Sequence, residues 1–255
     1  MTFLFSSELR RLLGRRLLRW MIVLVLLCIA VSAVIVYVRS DPGPGETGFR
    51  FTDMNSVWQG TSVPLIILAW VMGASFVGSD WQAGTFTTAL TWEARRIRLF
   101  AAKVLVCAAV VTVGYFLLQL VLGLTLLPTA LAKGSTDGLT AEWMREVGGV
   151  LVRGSAIAAV GSIIGMSIAM VGRNTGAALG VGFAYIAVIE AFVRGLRPQW
   201  IPYLFGDNAG VFITAQPLDF PEVGRSTMES GLVLLLYAVL FASVAAAAFR
   251  VRDVT

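Results

Sequence analysis

Residues 78–103, GSDWQAGTFTTALTWEARRIRLFAAK, concentrate the side chains of this sequence that can do more than pack against lipid. One carboxylate (Asp80), a Gly-Thr pair (Gly84, Thr85) and the cations Arg95, Arg96, Arg98 and Lys103 share one segment between two apolar runs. An exposed acid and exposed guanidinium groups are suited to charge-assisted hydrogen bonds with another protein's surface. They do not by themselves make a catalyst. The chain has no histidine, so it lacks the commonest metal ligand and general base. No loop carries a cluster of acids for metal-assisted or acid–base chemistry. The only lysines, Lys103 and Lys133, stand outside any GxxxxGK[ST] phosphate loop, so any ATP is expected on another chain. Cys28 and Cys107 both fall inside apolar runs and are expected to pack rather than to pair or bind metal.

Polar side chains inside the apolar runs are the second set of candidates. Tyr115 and Gln119 on the third run, with Ser155 and Ser162 on the fourth, could line a translocation path, and hydrogen bonds between helices account for them equally. Glu190 is an intramembrane acid and so a functional candidate, but Arg194 one helical turn on can neutralise it. Gly161 and Gly165, in GxxxG spacing, and GAALG at 176–180 permit close helix approach, either within one bundle or at a subunit interface.

The elements that must position these residues follow from composition. A mean hydropathy of +0.81 with 14% charged residues lies outside the range of water-soluble globular chains. Apolar runs long enough for about 20 residues of spanning helix occur at about 20–38, 61–78, 99–127, 154–171, 175–193 and 231–249. The expectation is an all-α polytopic membrane protein, residues 1–255 forming a single transmembrane domain. The first run is too long for most signal peptides and is expected to be retained. Ahead of it, residues 6–19 form an amphipathic interfacial helix, with Leu9, Leu12, Leu13, Leu17 and Trp20 on one arc and Glu8, Arg10, Arg11, Arg15 and Arg19 opposite.

Most of the 20 Lys and Arg residues fall at one side: Arg10, Arg11, Arg15, Arg16, Arg19, Arg95, Arg96, Arg98, Lys103, Arg173, Arg250 and Arg252. By the positive-inside rule both termini and the 79–98 loop are cytoplasmic, in a multi-pass protein of the plasma membrane. The net charge of +5 is then a topology signal with some affinity for anionic lipid, not a nucleic-acid footprint. The loop at 39–53 is too short for an external domain, and 140–149 is expected to hold a surface helix capped by Thr140 with Glu142 in its first turn. The outer segment 194–230 interleaves Pro198, Pro202, Pro217 and Pro221 with Trp200, Tyr203, Phe205, Phe212 and Phe220, which reads as short re-entrant helices before the last span.

The pattern G-S-D-W-x-x-G-T, a short helical turn, L-T-W-E-A-R-R and then A-A-K resembles the loop between the second and third spans of ABC-2 type transporter permeases. Asp80, Gly84, Thr85, Leu90, Thr91, Arg95 or Arg96, and Lys103 stand at the family's positions. The family's acid is typically Glu and its helix-leading residue often Pro, where this chain has Asp80 and Trp92 or Glu93. Six spans, the amphipathic N-terminal helix and the aromatic, proline-bearing segment extend the resemblance over most of the chain. The resemblance implies a transmembrane subunit of an ABC exporter whose 79–98 loop is a coupling helix docked in a separate ATP-binding subunit, through Asp80, Trp81, Gly84, Thr85, Phe86, Leu90, Arg95 and Arg96. It implies ATP and Mg on that partner, no cofactor in this chain, and a second copy of itself or a similar permease. Locally, Gly84 is expected to bend the chain, Thr85 to cap a helix over about 86–90, and Thr91 to cap the third span with Glu93 in its first turn. The alternative is a stand-alone secondary carrier or channel, for which Glu190 is the available ionisable residue.

Overall fold

In lipid an apolar run must satisfy its backbone donors and acceptors within itself, and the helix does so. The computed structural model describes residues 2–40, 49–216 and 224–251. In chain order the helices are α1 (Thr2–Leu13), α2 (Arg16–Arg39), α3 (Met54–Gln82), α4 (Thr85–Trp92), α5 (Arg96–Lys133), α6 (Ala141–Gly172), α7 (Thr175–Ala184), α8 (Glu190–Leu196), α9 (Phe205–Thr214) and α10 (Thr227–Val251). A π turn at Tyr185–Ile189 joins α7 to α8, and 3-10 turns cover Phe51–Asp53 and Pro198–Tyr203. The described residues hold no strand, only an isolated bridge between Arg50 and Ser135. Six of these stretches are long and apolar enough to cross a membrane, counting α7–α8 as one. Each expected span lies inside one of them.

Helix α6 is the axis of the bundle: 67% of its most apolar window is buried, against 6% for α2, which leans on the outside. Glycine makes this possible where α3 meets α6. A Cβ on Gly73 would run into the Ser162 carbonyl, and one on Gly165 into that of Trp70. Gly165 thus serves packing within one chain, whereas a Cβ on Gly161 would make only an ordinary contact with Ile66. The membrane supplies little hydrophobic drive between helices, so such backbone-to-backbone approach carries much of the association.

The connections gather at two opposite ends. At one, Phe51 N–H donates to the Ser135 carbonyl at 3.0 Å and Ser135 N–H to that of Phe49 at 3.1 Å. There Trp143, whose indole donates to the Thr52 carbonyl at 3.1 Å, packs on Phe51 and Trp58. Thr140 caps α6 by accepting from Trp143 N–H at 3.2 Å, with Glu142 in the first turn as expected. The helix it opens is not a separate surface helix, because α6 continues unbroken to Gly172. Most of the 39–53 loop, together with Pro217, Phe220, Pro221 and Arg252, lies outside the described residues.

At the other end meet α1, α4, the α6–α7 turn and the end of α10. Phe86 packs on Trp81 and Phe249, with ring centroids 4.8 and 5.3 Å away. The expected continuous helix over 6–19 is interrupted here: Arg15 is extended (φ −69°, ψ 132°), so Leu17 and Trp20 belong to α2. Helix α1 does not lie with Glu8 turned outward either. Leu12 and Glu8 are both buried, at 0% and 3% exposure.

Replacing Gly73 by Leu drives a side chain into the Ser162 backbone. Overpacking of this kind costs about 1–3 kcal/mol or more. The expected result is a lower melting temperature and less monodisperse protein by fluorescence-detected size exclusion, whereas Gly60→Leu, with nothing within 4 Å of its Cβ, leaves both unchanged.

Candidate functional site

Five ionic side chains from four elements converge beneath α4. Lys103, completely buried two turns into α5, donates to Glu8 Oε2 at 2.7 Å and Asp80 Oδ2 at 2.6 Å. Arg11 bridges the same two acids, reaching Glu8 Oε1 at 3.0 Å and Asp80 Oδ1 at 3.1 Å. Arg15, in the α1–α2 elbow, adds a contact to Asp80 Oδ1 at 3.0 Å and binds the end of α3 through Ser79 Oγ (2.5 Å) and the carbonyls of Ser75 (2.9 Å) and Phe76 (3.1 Å). Phe76 lies under both cations, 4.8 Å from the Arg15 guanidinium and 4.7 Å from the Lys103 ammonium, and Phe86 is 5.6 Å from the latter.

The local reasons are legible. Helix α3 runs on to Gln82, past the apolar run, so Asp80 is still helical and points inward at 4% exposure. Extended Arg15 turns its side chain back to α3. Burial pushes its guanidinium below the usual arginine value, while Asp80 pulls it back up. Taking these charges out of water is costly, and their mutual contacts offset that cost only as a complete set. The cluster fixes α1, α3 and α5 against one another at this end.

Several expectations are corrected by this geometry. Asp80 is not an exposed acid available to a partner. Arg96 donates to the Phe249 carbonyl at 3.1 Å, tying α5 to the end of α10. Thr85 does not cap α4, which includes it; its hydroxyl donates to the Asp80 carbonyl at 3.2 Å. Thr91 lies within α4 and donates to the Thr88 carbonyl at 2.7 Å, and α5 starts only at Arg96, with Glu93 accepting from Arg95 N–H at 3.1 Å. Gly84 does what the sequence asked of it: φ is 64°, in the left-handed region that a Cβ disfavours.

What α4 leaves free is one face. Phe86 is buried and Leu90 half-buried, and Trp81 lies under the helix with its indole 3.4 Å from the Met170 sulfur and Arg173 stacked 4.8 Å away. Thr87, Thr88, Thr91 and Trp92 face outward beside exposed Arg95, and Trp92 is 88% exposed.

The four polar candidates on α5 and α6 are hydrogen-bonded within the bundle. Tyr115 and Ser62 share a hydrogen bond at 2.5 Å; Gln119 donates to Tyr115 Oη (3.2 Å) and the Trp58 carbonyl (3.2 Å) and accepts from Thr61 (3.0 Å). Trp58 in turn donates to the Gln119 carbonyl at 2.9 Å. Ser155 and Ser162 donate to carbonyls of their own helix, Leu151 and Ala159. The bonds of Tyr115, Gln119, Ser62 and Trp58 staple α3 to α5, and those of the two serines stay within α6.

Glu190 is 1% exposed. It accepts from Arg194 at 3.0 Å, as the spacing implied, and also from the Gly206 N–H at the start of α9 at 2.8 Å. Arg194 continues to Asp207 at 3.1 Å. The π turn inserts one residue ahead of Glu190, rotating α8 by roughly 100° relative to α7. Glu190 thereby receives the positive end of α9. No group of three or more metal-ligating side chains occurs among the described residues.

Sequence reasoning found Asp80 and Lys103 as motif positions but not as partners, and it missed Glu8, Arg11 and Arg15. One signal was present: Glu8 is the sole acid among the first 40 residues, set beside five arginines.

Fold and site together define an all-helical chain with six helices long and apolar enough to cross a membrane, keyed at one end by a buried ion cluster. The chain belongs to the DUF2705 family, a family of unknown function, whose model matches residues 17–255. No curated protein matches it.

Removing one member of a buried ionic set costs about 3–5 kcal/mol because the rest is left uncompensated. Lys103→Met is therefore expected to lower the melting temperature strongly. Adding Glu8→Gln leaves Asp80 with Arg11 and Arg15, and should restore more than half of that loss. A double variant no more stable than Lys103→Met alone would refute the pairing.

Proposed function

We propose that this chain is the transmembrane subunit of an ATP-driven exporter of the ABC-2 type, with α4 as its coupling helix. The reading starts from the resemblance of residues 78–103 to that family's coupling loop. The observation that carries it is the construction of α4: a helix of its own between α3 and α5, pinned by Phe86 and offering Thr87, Thr88, Thr91 and Trp92 outward. A largely exposed tryptophan on a rigidly seated helix is the kind of anchor that dominates protein interfaces. Force on α4 would reach the spans through two routes already described, the Asp80 cluster into α1 and α5 and the Phe86–Phe249 contact into α10.

In this reading α1, α4 and both termini face the cytoplasm, in keeping with the cations gathered at that end, and the membrane is the plasma membrane. ATP and Mg belong to a separate ATP-binding subunit, and a second permease copy completes the transporter. The turn at Pro198–Tyr203 and α9 then serve as the short re-entrant helices of the outer leaflet, held by Glu190 and by the Tyr237 hydroxyl on the Tyr203 carbonyl at 2.8 Å.

The test is co-purification with the ATP-binding protein encoded beside this chain. Trp92→Ala combined with Thr88→Arg alters only the outward face of α4. It should reduce recovery of that subunit at least tenfold while the melting profile of the permease is unchanged. Undiminished recovery removes α4 from the interface, and transport by the purified chain without any ATPase removes the reading itself.

A further inference from the structure

Residues 78–103 hold acids and cations side by side in sequence, but the fold leaves them unequally available. Asp80 is held by Lys103, Arg11 and Arg15. Glu93, in the connection from α4 to α5, accepts from the Arg95 N–H at 3.1 Å and lies 3.5 Å from the Arg98 guanidinium. Lys103 is buried, and Arg96 is turned to the end of α10. Arg95 remains. It is exposed, and its guanidinium has no hydrogen bond or ion pair among the described residues. The mixed charge of the segment thus becomes a surface on which the free ionic group is a cation.

The outward face of α4 shows what can meet it. Phe86 is buried in the bundle, and Ala89 and Leu90 pack against the same cluster. No apolar stripe is left on the outside to lie on acyl chains, as an interfacial helix requires. Thr87 and Thr91 donate their hydroxyl protons to the carbonyls of Gly84 and Thr88, each at 2.7 Å. Their oxygens therefore present lone pairs, and an anion placed against them would find no donor. Donors begin at the far end of the helix, where Arg95 follows Trp92, itself 88% exposed. The backbone of Arg95 is fixed on both sides: its N–H by Glu93, its carbonyl by the Arg98 N–H at 2.9 Å. Arginine and tryptophan are the side chains over-represented among those that dominate protein interfaces, and a carboxylate accepts a guanidinium through two parallel hydrogen bonds.

We propose, resting on the reading of α4 as a coupling helix, that the surface receiving it is acidic at one end: a carboxylate of the ATP-binding subunit pairs with Arg95, beside a slot for the Trp92 indole. Opposite Thr87 and Thr91 that surface offers donors. A subunit with a basic residue facing Arg95 is rejected by like charge, so the pair also selects the partner.

The experiment measures binding of the ATP-binding protein encoded beside this chain to the full-length chain, in mild detergent and again in phosphatidylglycerol nanodiscs. Binding to the unmodified chain should weaken as salt rises. Arg95→Gln should weaken it about tenfold in detergent, as expected for the loss of a hydrogen bond between charged groups. Arg95→Glu should weaken it further, because it sets like charges together, and Arg95→Lys should fall between the unmodified chain and Arg95→Gln. Arg95→Glu binding as tightly as the unmodified chain, while Trp92→Ala/Thr88→Arg binds poorly, overturns the acidic surface and leaves α4 as the docking helix. Undiminished binding by both variants overturns the docking reading and the acidic surface with it. A loss confined to the nanodiscs makes anionic headgroups the partner of Arg95 and likewise overturns the proposal.

Discussion

A buried lysine cannot be left without anions, and this single constraint organises one end of the molecule. Lys103 sits in α5 where solvent does not reach, so Glu8 and Asp80 must both come to it. Glu8 brings α1 down onto the bundle, and Asp80 fixes the last turn of α3. Arg11 offsets the second acid, and Arg15, which leaves the cluster one positive charge in excess, shapes the elbow between α1 and α2. Such an assembly is valuable less for net stability than for uniqueness, because any other arrangement strands a charge in a low-dielectric interior.

The rest of the α1 end is arranged on that base. Helix α4 follows Asp80 after one left-handed glycine, so its direction is inherited from the end of α3. Phe86 completes the ring of aromatic groups over Lys103 and joins it to Phe249. Arg96 closes the C-terminus of α10 from the start of α5. A displacement of α4 therefore cannot stay local, which is the mechanical property that the proposed coupling role requires. Meanwhile α2, held mainly through the elbow, is left standing off the bundle beside an apolar groove.

The opposite end uses the same principle with weaker means. Glu190 is paired by Arg194 and by a backbone N–H of α9, so a carboxylate in an apolar helix becomes the anchor of a short one. The Tyr115–Gln119–Ser62 network likewise spends its polarity between α3 and α5. These polar residues are joints between helices, and their partners explain why they are tolerated in lipid.

The sequence by itself determined the six spans, because about 20 apolar residues in lipid have few alternatives to a helix. It also determined the bend at Gly84, the cap at Thr140 and the Glu190–Arg194 pair, all of which depend on neighbours within a few residues. Only the tertiary structure decided that Asp80 faces inward, that Glu8 is buried rather than turned to water, and that α1 ends at Leu13. Those outcomes depend on Lys103, 95 residues from Glu8 along the chain. Helical periodicity records which residues share a face, but a charge on that face is placed by its partner, and the partner is fixed only when the helices pack.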